Sequence, residues 1–244
     1  MKKPVLYVLI ILLSFCSCSS KDESKEAECN YKPAGWDYPI RPGMKEWYEL
    51  STDKLYATFQ IPEEVLDTLS PEDAVRLFIT FPYLDNVSFS QSGVAFYMMS
   101  AYNIISHLLS RNDVGGLLIA AYKDAGESGF KTLPYCTNKL WSFACMLNWF
   151  QMLLSQKEIA QNMTFDERLE LIIEARSKNT HYDHNIMANI LNVEEYPEFM
   201  ASPYREVILE YMYGEYGAWW SYGIAIPYDE IKKMTDNYIN DNKK

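Results

Sequence analysis

The stretch SPEDAVRLFI, residues 70–79, carries its own start signal. Ser70 is an N-cap type, Pro71 suits the first helical position, and Asp73 falls at N3, close to a capping box. Beyond the cap, Ala74, Leu77 and Phe78 share one face, as do Val75 and Ile79. That spacing is helical rather than alternating. The same grammar recurs along the chain. In TFDERLELIIEA, residues 164–175, Thr164 and Glu167 stand in capping-box register, with Leu169, Ile172 and Ile173 on one side. IPEEVLDTL, residues 61–69, places Pro62 at a first helical position with acids behind it. STDKLYATF offers Ser51 or Thr52 as a cap, and SPYREVILEYM repeats the Ser-Pro start at Ser202 and Pro203. IPYDEIKKMTDNYI opens with Pro227 and closes the pattern.

Two runs without Asp, Glu, Lys or Arg lie between these segments, Asn86 to Ser110 and Leu140 to Gln156. Both contain scattered Ser, Asn, Gln or His, a polar load that lipid-facing helices rarely accept. Each is expected to supply a central helix surrounded by amphipathic ones. Gly115-Gly116 marks either a close helix approach or, more plainly, a helix start capped by Asp113. No convincing β alternation appears. The expectation is an all-α fold: an irregular domain of about eight helices over residues 36–244. Its alternative is a short α-solenoid of helical hairpins, argued against by the unequal spacing of the starts at Ser70, Thr164 and Ser202.

Residues 1–35 read differently. Lys2 and Lys3 precede an apolar run from Val5 to Phe15, interrupted by Ser14. A membrane span needs about 20 apolar residues, so this shorter run reads as an export signal. Cys16 and Cys18 follow it. The pattern resembles a bacterial lipoprotein signal, in which cleavage precedes an acylated cysteine and follows a small residue. Ser17 before Cys18 is small and Phe15 before Cys16 is not. The resemblance therefore implies a signal peptide at 1–17, lipidation of Cys18 and an acylated tether at 18–35. Lys21-Asp22-Glu23 resembles the surface-export signal of Bacteroidota lipoproteins, which implies an outer-membrane protein facing the cell surface. Two Pro and a Gly in YPIRPG, residues 38–43, suggest a turn, with ordered packing expected from about Trp47.

The chain holds 22 basic and 33 acidic residues, a formal net charge of −11. Nucleic-acid binding needs clustered Lys and Arg, and none is present. Its 48% hydrophobic content supports a substantial core. Cys29 and Cys136 are conceivable disulfide partners in an oxidising compartment, while Cys145 lies in an uncharged run and reads as an inert core residue.

YPIRPG with Trp47, IPEEVL with LSPED (residues 61–73), FPYLDN (81–86) and the LLSRND segment to Lys123 together resemble a group of exported all-α lipoproteins from gut Bacteroidota. The resemblance covers residues 38 to about 123. It implies a helical fold and export, and it brings no activity with it.

For chemistry, HYDHN is the first candidate. His181 and His184 share a helix face at i, i+3, but zinc catalysis needs a third protein ligand. The competing explanation has Thr180 as cap, Asp183 at N3, and Ile186, Met187, Ile190 and Leu191 at core spacing. GESGF around Ser128 is not a Gly-x-Ser-x-Gly elbow, and no strand is expected ahead of it. YMYGEYGAWWSYG, residues 211–223, concentrates Tyr213, Tyr216, Trp219, Trp220 and Tyr222 around three glycines. Rigid aromatic faces stack on sugars or anchor protein partners; the plainer reading packs them on the core. Asp67-Thr68-Leu69 resembles an O-glycosylation acceptor of Bacteroidota envelope proteins, though a plain helix end explains it too. The expected function is non-enzymatic binding of a glycan or protein partner by a membrane-anchored lipoprotein without a cofactor. The alternative is an envelope hydrolase using a metal held by His181 and His184.

Overall fold

The computed structural model describes residues 36–40, 44–49, 51, 54, 57–81, 102–126, 129–130, 147, 150–178, 183–213 and 228–243. Eleven helices have bounds among them: α1 (Lys45–Glu49), α2 (Glu63–Leu66), α3 (Pro71–Ile79), α4 (Asn103–Ser110), α5 (Gly115–Asp124), α6 (Lys157–Asn162), α7 (Phe165–Lys178), α8 (Asp183–Val193), α9 (Pro197–Met200), α10 (Arg205–Tyr213) and α11 (Tyr228–Asn242). A further helical segment, 150–154, leads into α6. The fold is all-α. The helix count exceeds eight because α1, α2 and α9 are single turns, too short to show a 3.6-residue period. The only ladder among the described residues pairs Ala125 with Phe130 and Gly126 with Gly129. A two-residue strand therefore does precede Ser128, yet it belongs to a tight antiparallel ladder rather than to a strand–nucleophile–helix elbow.

The expected caps hold at two starts. Ser70 Oγ accepts from Asp73 N at 3.1 Å and opens α3. Thr164 Oγ1 accepts from Glu167 N at 3.3 Å while Glu167 Oε2 accepts from Thr164 N at 2.7 Å, a reciprocal box. Other starts shift. Pro62 is the N-cap of α2 rather than its first residue. Ser202 Oγ accepts from Tyr204 N at 3.3 Å, so it closes a turn and α10 begins later, at Arg205. Asp113 does not cap α5, because its carboxylate is taken by Arg111 at 2.7 and 2.6 Å. The helix does start at the two glycines, and Gly115 also marks a close approach. A Cβ at Gly115 would lie 2.9 Å from Met163 Cγ and 3.1 Å from Glu167 Oε1.

Packing follows two rows. α3 packs on α5 and α5 on α7; α4 packs on α6 and α6 on α8. Within each pair, α3 meets α4, α5 meets α6 and α7 meets α8. Among the described residues the helices therefore lie in two adjoining rows, α3–α5–α7 and α4–α6–α8. α11 closes the stack against both α7 and α8. One cluster of buried side chains runs from Tyr38 to Ile239. Packing begins well before Trp47. Tyr38 is 2% exposed, donates its hydroxyl to Leu77 O at 3.1 Å, and stands edge-on to Phe59 and Phe81.

The two uncharged runs part company. In the second, every residue from Phe150 to Gln156 is buried. In the first, α4 buries Ile104, Ile105 and Leu108 but exposes Ser106 and Ser110, so it is amphipathic. Among the described helices the one enclosed by the most neighbours is α8, which touches α6, α7, α9, α10 and α11. No helix among the described residues is long and apolar enough to cross a membrane.

Candidate functional site

α8 is buried at every position from Asp183 to Leu191, and four of those positions are polar: Asp183, His184, Asn185 and Asn189. A buried polar group costs roughly 1–3 kcal/mol if it goes unbonded, so each needs an answer inside the fold. The segment 150–156 answers two of them. Gln151 Nε2 donates to Asp183 Oδ1 at 2.6 Å, and the Tyr122 hydroxyl donates to the same oxygen. Six residues along, Asn189 Nδ2 donates to Gln156 O at 3.0 Å.

That second bond explains the break between 150–154 and α6. Ser155 Oγ and Gln156 Nε2 both donate to Met152 O at 2.8 Å, which draws the side chains back onto the preceding turn. Gln156 then becomes extended, with ψ 139, as the N-cap of α6. Asn189 meets the Gln156 carbonyl at this break. Asp183 in the first turn of α8 also suits the positive end of the helix dipole. At the far end Glu195 takes φ 50, and Tyr196 N donates to Leu191 O at 2.9 Å, a Schellman-type stop.

Tyr122 completes the seam from α5. Its ring stacks on Phe150 at 6.4 Å and 12°, and Lys178 Nζ sits 5.1 Å from its centroid. Lys178 also donates to Ala125 O at 3.0 Å and pairs with Glu174 at 3.3 Å. Burial, then the Asp183 charge, push the Tyr122 hydroxyl above the ordinary phenol range, so it remains a donor. A carboxylate enclosed by a phenol and an amide in this way joins three segments: α5, 150–156 and α8. It fixes their register and presents no group to solvent.

The sequence candidates fall elsewhere. His184 is 5% exposed, and its ring packs on Tyr228 of α11 at 4.5 Å and 43°. Its expected partner His181 lies outside the described residues, as do Thr180, Ser128 and Cys18, Cys29, Cys136 and Cys145. Among the described residues no group of three or more His, Cys, Asp or Glu is arranged to hold a metal ion. Asp183, expected at N3 behind a Thr180 cap, is wholly buried. Thr68 is exposed just after α2, where its hydroxyl donates back to Val65 O at 2.9 Å. Tyr216, Trp219, Trp220 and Tyr222 lie outside the described residues, and of Tyr213 only the backbone, the last residue of α10, is described. The helices on either side of residues 214–227 are described: α10 ends at Tyr213, α11 begins at Tyr228, and both pack on α8.

Sequence reading passed over Tyr122 and Gln151. The available signal was polarity inside apolar surroundings: Gln151 within an uncharged run, and Asp183 and Asn189 beside Ile186 and Ile190. Compared with protein-family models, curated proteins and solved structures, the chain matches none.

Proposed function

We propose that this chain is a lipid-anchored envelope protein, facing the cell surface, that holds a glycan or protein partner without transforming it. Cys18 is the acylated residue in this reading, and Tyr213, Tyr216, Trp219, Trp220 and Tyr222 supply the contact. The supporting observation is the frame of that stretch. α10 and α11 bracket it, and both pack on the enclosed helix α8. A recognition segment whose ends are fixed on a rigid core loses less freedom on binding.

The test uses the full chain on intact cells. Crosslinking captures what the protein touches, and Trp219→Ala with Trp220→Ala should reduce that capture while melting stays nearly unchanged. A stability loss of about 3–5 kcal/mol, the usual cost of truncating a core Trp, would assign both rings to the core and end the reading. Cys18→Ala should release the protein from membranes, and Cys16→Ala should not. A Cys18→Ala protein that still sediments with membranes in high salt removes the anchor from the proposal.

A further inference from the structure

The α2 arm, residues 61–70, meets α4 at two places of different chemistry. At its start, Asn103 holds Ile61 on both sides: Oδ1 accepts from Ile61 N at 2.9 Å and Nδ2 donates to Ile61 O at 2.6 Å. Amides do not titrate, so this attachment is indifferent to pH. At its end, Arg111 Nη1 donates to Leu69 O at 2.9 Å and lies 3.2 Å from His107 Nε2. The two attachments stand eight residues apart, about 12 Å along a helix.

Arginine has donors only, so His107 Nε2 must accept, and the imidazole must be neutral with its proton on Nδ1. We propose that residues 61–70 are an arm hinged on Asn103 and latched by Arg111, and that proton uptake by His107 loosens the latch. Protonation turns the acceptor into a donor aimed at a guanidinium and brings two cations together. Arg111 then keeps the stronger of its bonds. Nε and Nη2 grip Asp113 at 2.7 and 2.6 Å in a charge-assisted fork, whereas Nη1 is shared between His107 and the Leu69 carbonyl. The Arg111 backbone stays in place, because Asn162 Nδ2 of α6 donates to Leu109 O and Arg111 O at 3.1 and 3.2 Å. Nη1 is the group that gives way.

The charged groups around the ring are Arg111 and Asp113 from the α4–α5 connection and Asp67 from the end of α2. Glu72 of α3 faces Arg111, while α6 contributes the neutral amide of Asn162. Burial, then Arg111, hold the His107 ring below its ordinary 6.5, against the opposing pull of Asp67 and Asp113. The latch is therefore complete above the free-histidine value and weakens as pH falls below it. Leu66 and Leu69, each 8% exposed, remain buried, so protonation raises the frequency of opening rather than holding the arm open.

Hydrogen exchange on the full chain at pH 7.5 and pH 5 tests this, with amide protection corrected for intrinsic rates. Protection at residues 66–69 should fall several-fold in acid, with no such fall at residues 183–191. His107→Gln, which keeps an acceptor that cannot be protonated, should remove the acid effect. An equal fall in His107→Gln, or none in the native chain, overturns the proposal. So does a His107 ring that titrates, by NMR, at or above the value of a free histidine.

Discussion

α7 and α8 are consecutive, pack on each other, and are stabilised by opposite means. α7 keeps a wet face: Lys123 of α5 meets its Glu170 at 2.6 Å with both side chains about half exposed, and Arg176 grips Asp236 of α11 at 2.8 and 2.9 Å. Such pairs are worth roughly 0–1 kcal/mol each. α8 has no wet face over its first nine residues, so Asp183 and Asn189 are answered by hydrogen bonds from inside the fold. On the outer face of α7 polarity is solvation, while Arg168 and Lys178 bond inward near its two ends. On α8 it specifies which neighbours dock and in what register.

The harshest way to break that contrast is Asp183→Ala. It removes the acceptor shared by the Tyr122 hydroxyl and the Gln151 amide, and should cost about 2–5 kcal/mol, the scale of losing two buried hydrogen bonds. Urea unfolding measures it, and Asp183→Asn, which retains an acceptor oxygen, should recover part of the loss. A change below about 1 kcal/mol for Asp183→Ala would place this helix in the same class as α7.

Gly115→Ala probes the start of α7 from the outside. The added methyl meets Met163 and Glu167, the capping-box acid, and should cost about 1–3 kcal/mol as overpacking. A neutral result in thermal unfolding would show that the Met163 side chain, 4% exposed, gives way freely. Glu195→Gly should act in the other direction. Relieving a non-glycine φ of 50 at the end of α8 should stabilise by up to about 1–2 kcal/mol, seen as a raised melting temperature. Smallest of all, Lys123→Ala should change stability by less than about 1 kcal/mol, and less still in high salt.

The same contrast explains what was legible in the sequence. α3 and α7 announce themselves, because Ser70 and Thr164 are true caps and the apolar residues behind them mark one face. α8 shows the same spacing at Ile186, Met187, Ile190 and Leu191, and that spacing leaves the surroundings of His184, Asn185 and Asn189 undetermined. Periodicity reports the apolar stripe. It does not report whether the opposite face meets water or another helix, and here Tyr228, Gln151 and Gln156 take the place of solvent. The partners of Asp183 were out of reach for a related reason. An acid near a helix start satisfies a local capping rule, and its partner Tyr122 lies 61 residues away, beyond the reach of any local pattern. No regular repeat length shows in the sequence, because the helical run 150–154 breaks at Ser155 and Gln156 before α6 begins. Single-turn helices such as α2 and α9 contain too few residues to express a period at all.

Tyr38 carries a mechanical consequence. It is the first side chain of the described body to be sunk in the core, and its hydroxyl is fastened to the carbonyl of Leu77 on α3. Tension arriving along the chain ahead of Trp36 meets no slack there. It loads the rings of Phe59 and Phe81 sideways and passes into α3, at one end of the row α3–α5–α7. Under such a pull the molecule should open from that end of the row, and α8, packed among α6, α7, α9, α10 and α11, should be among the last parts to feel the strain.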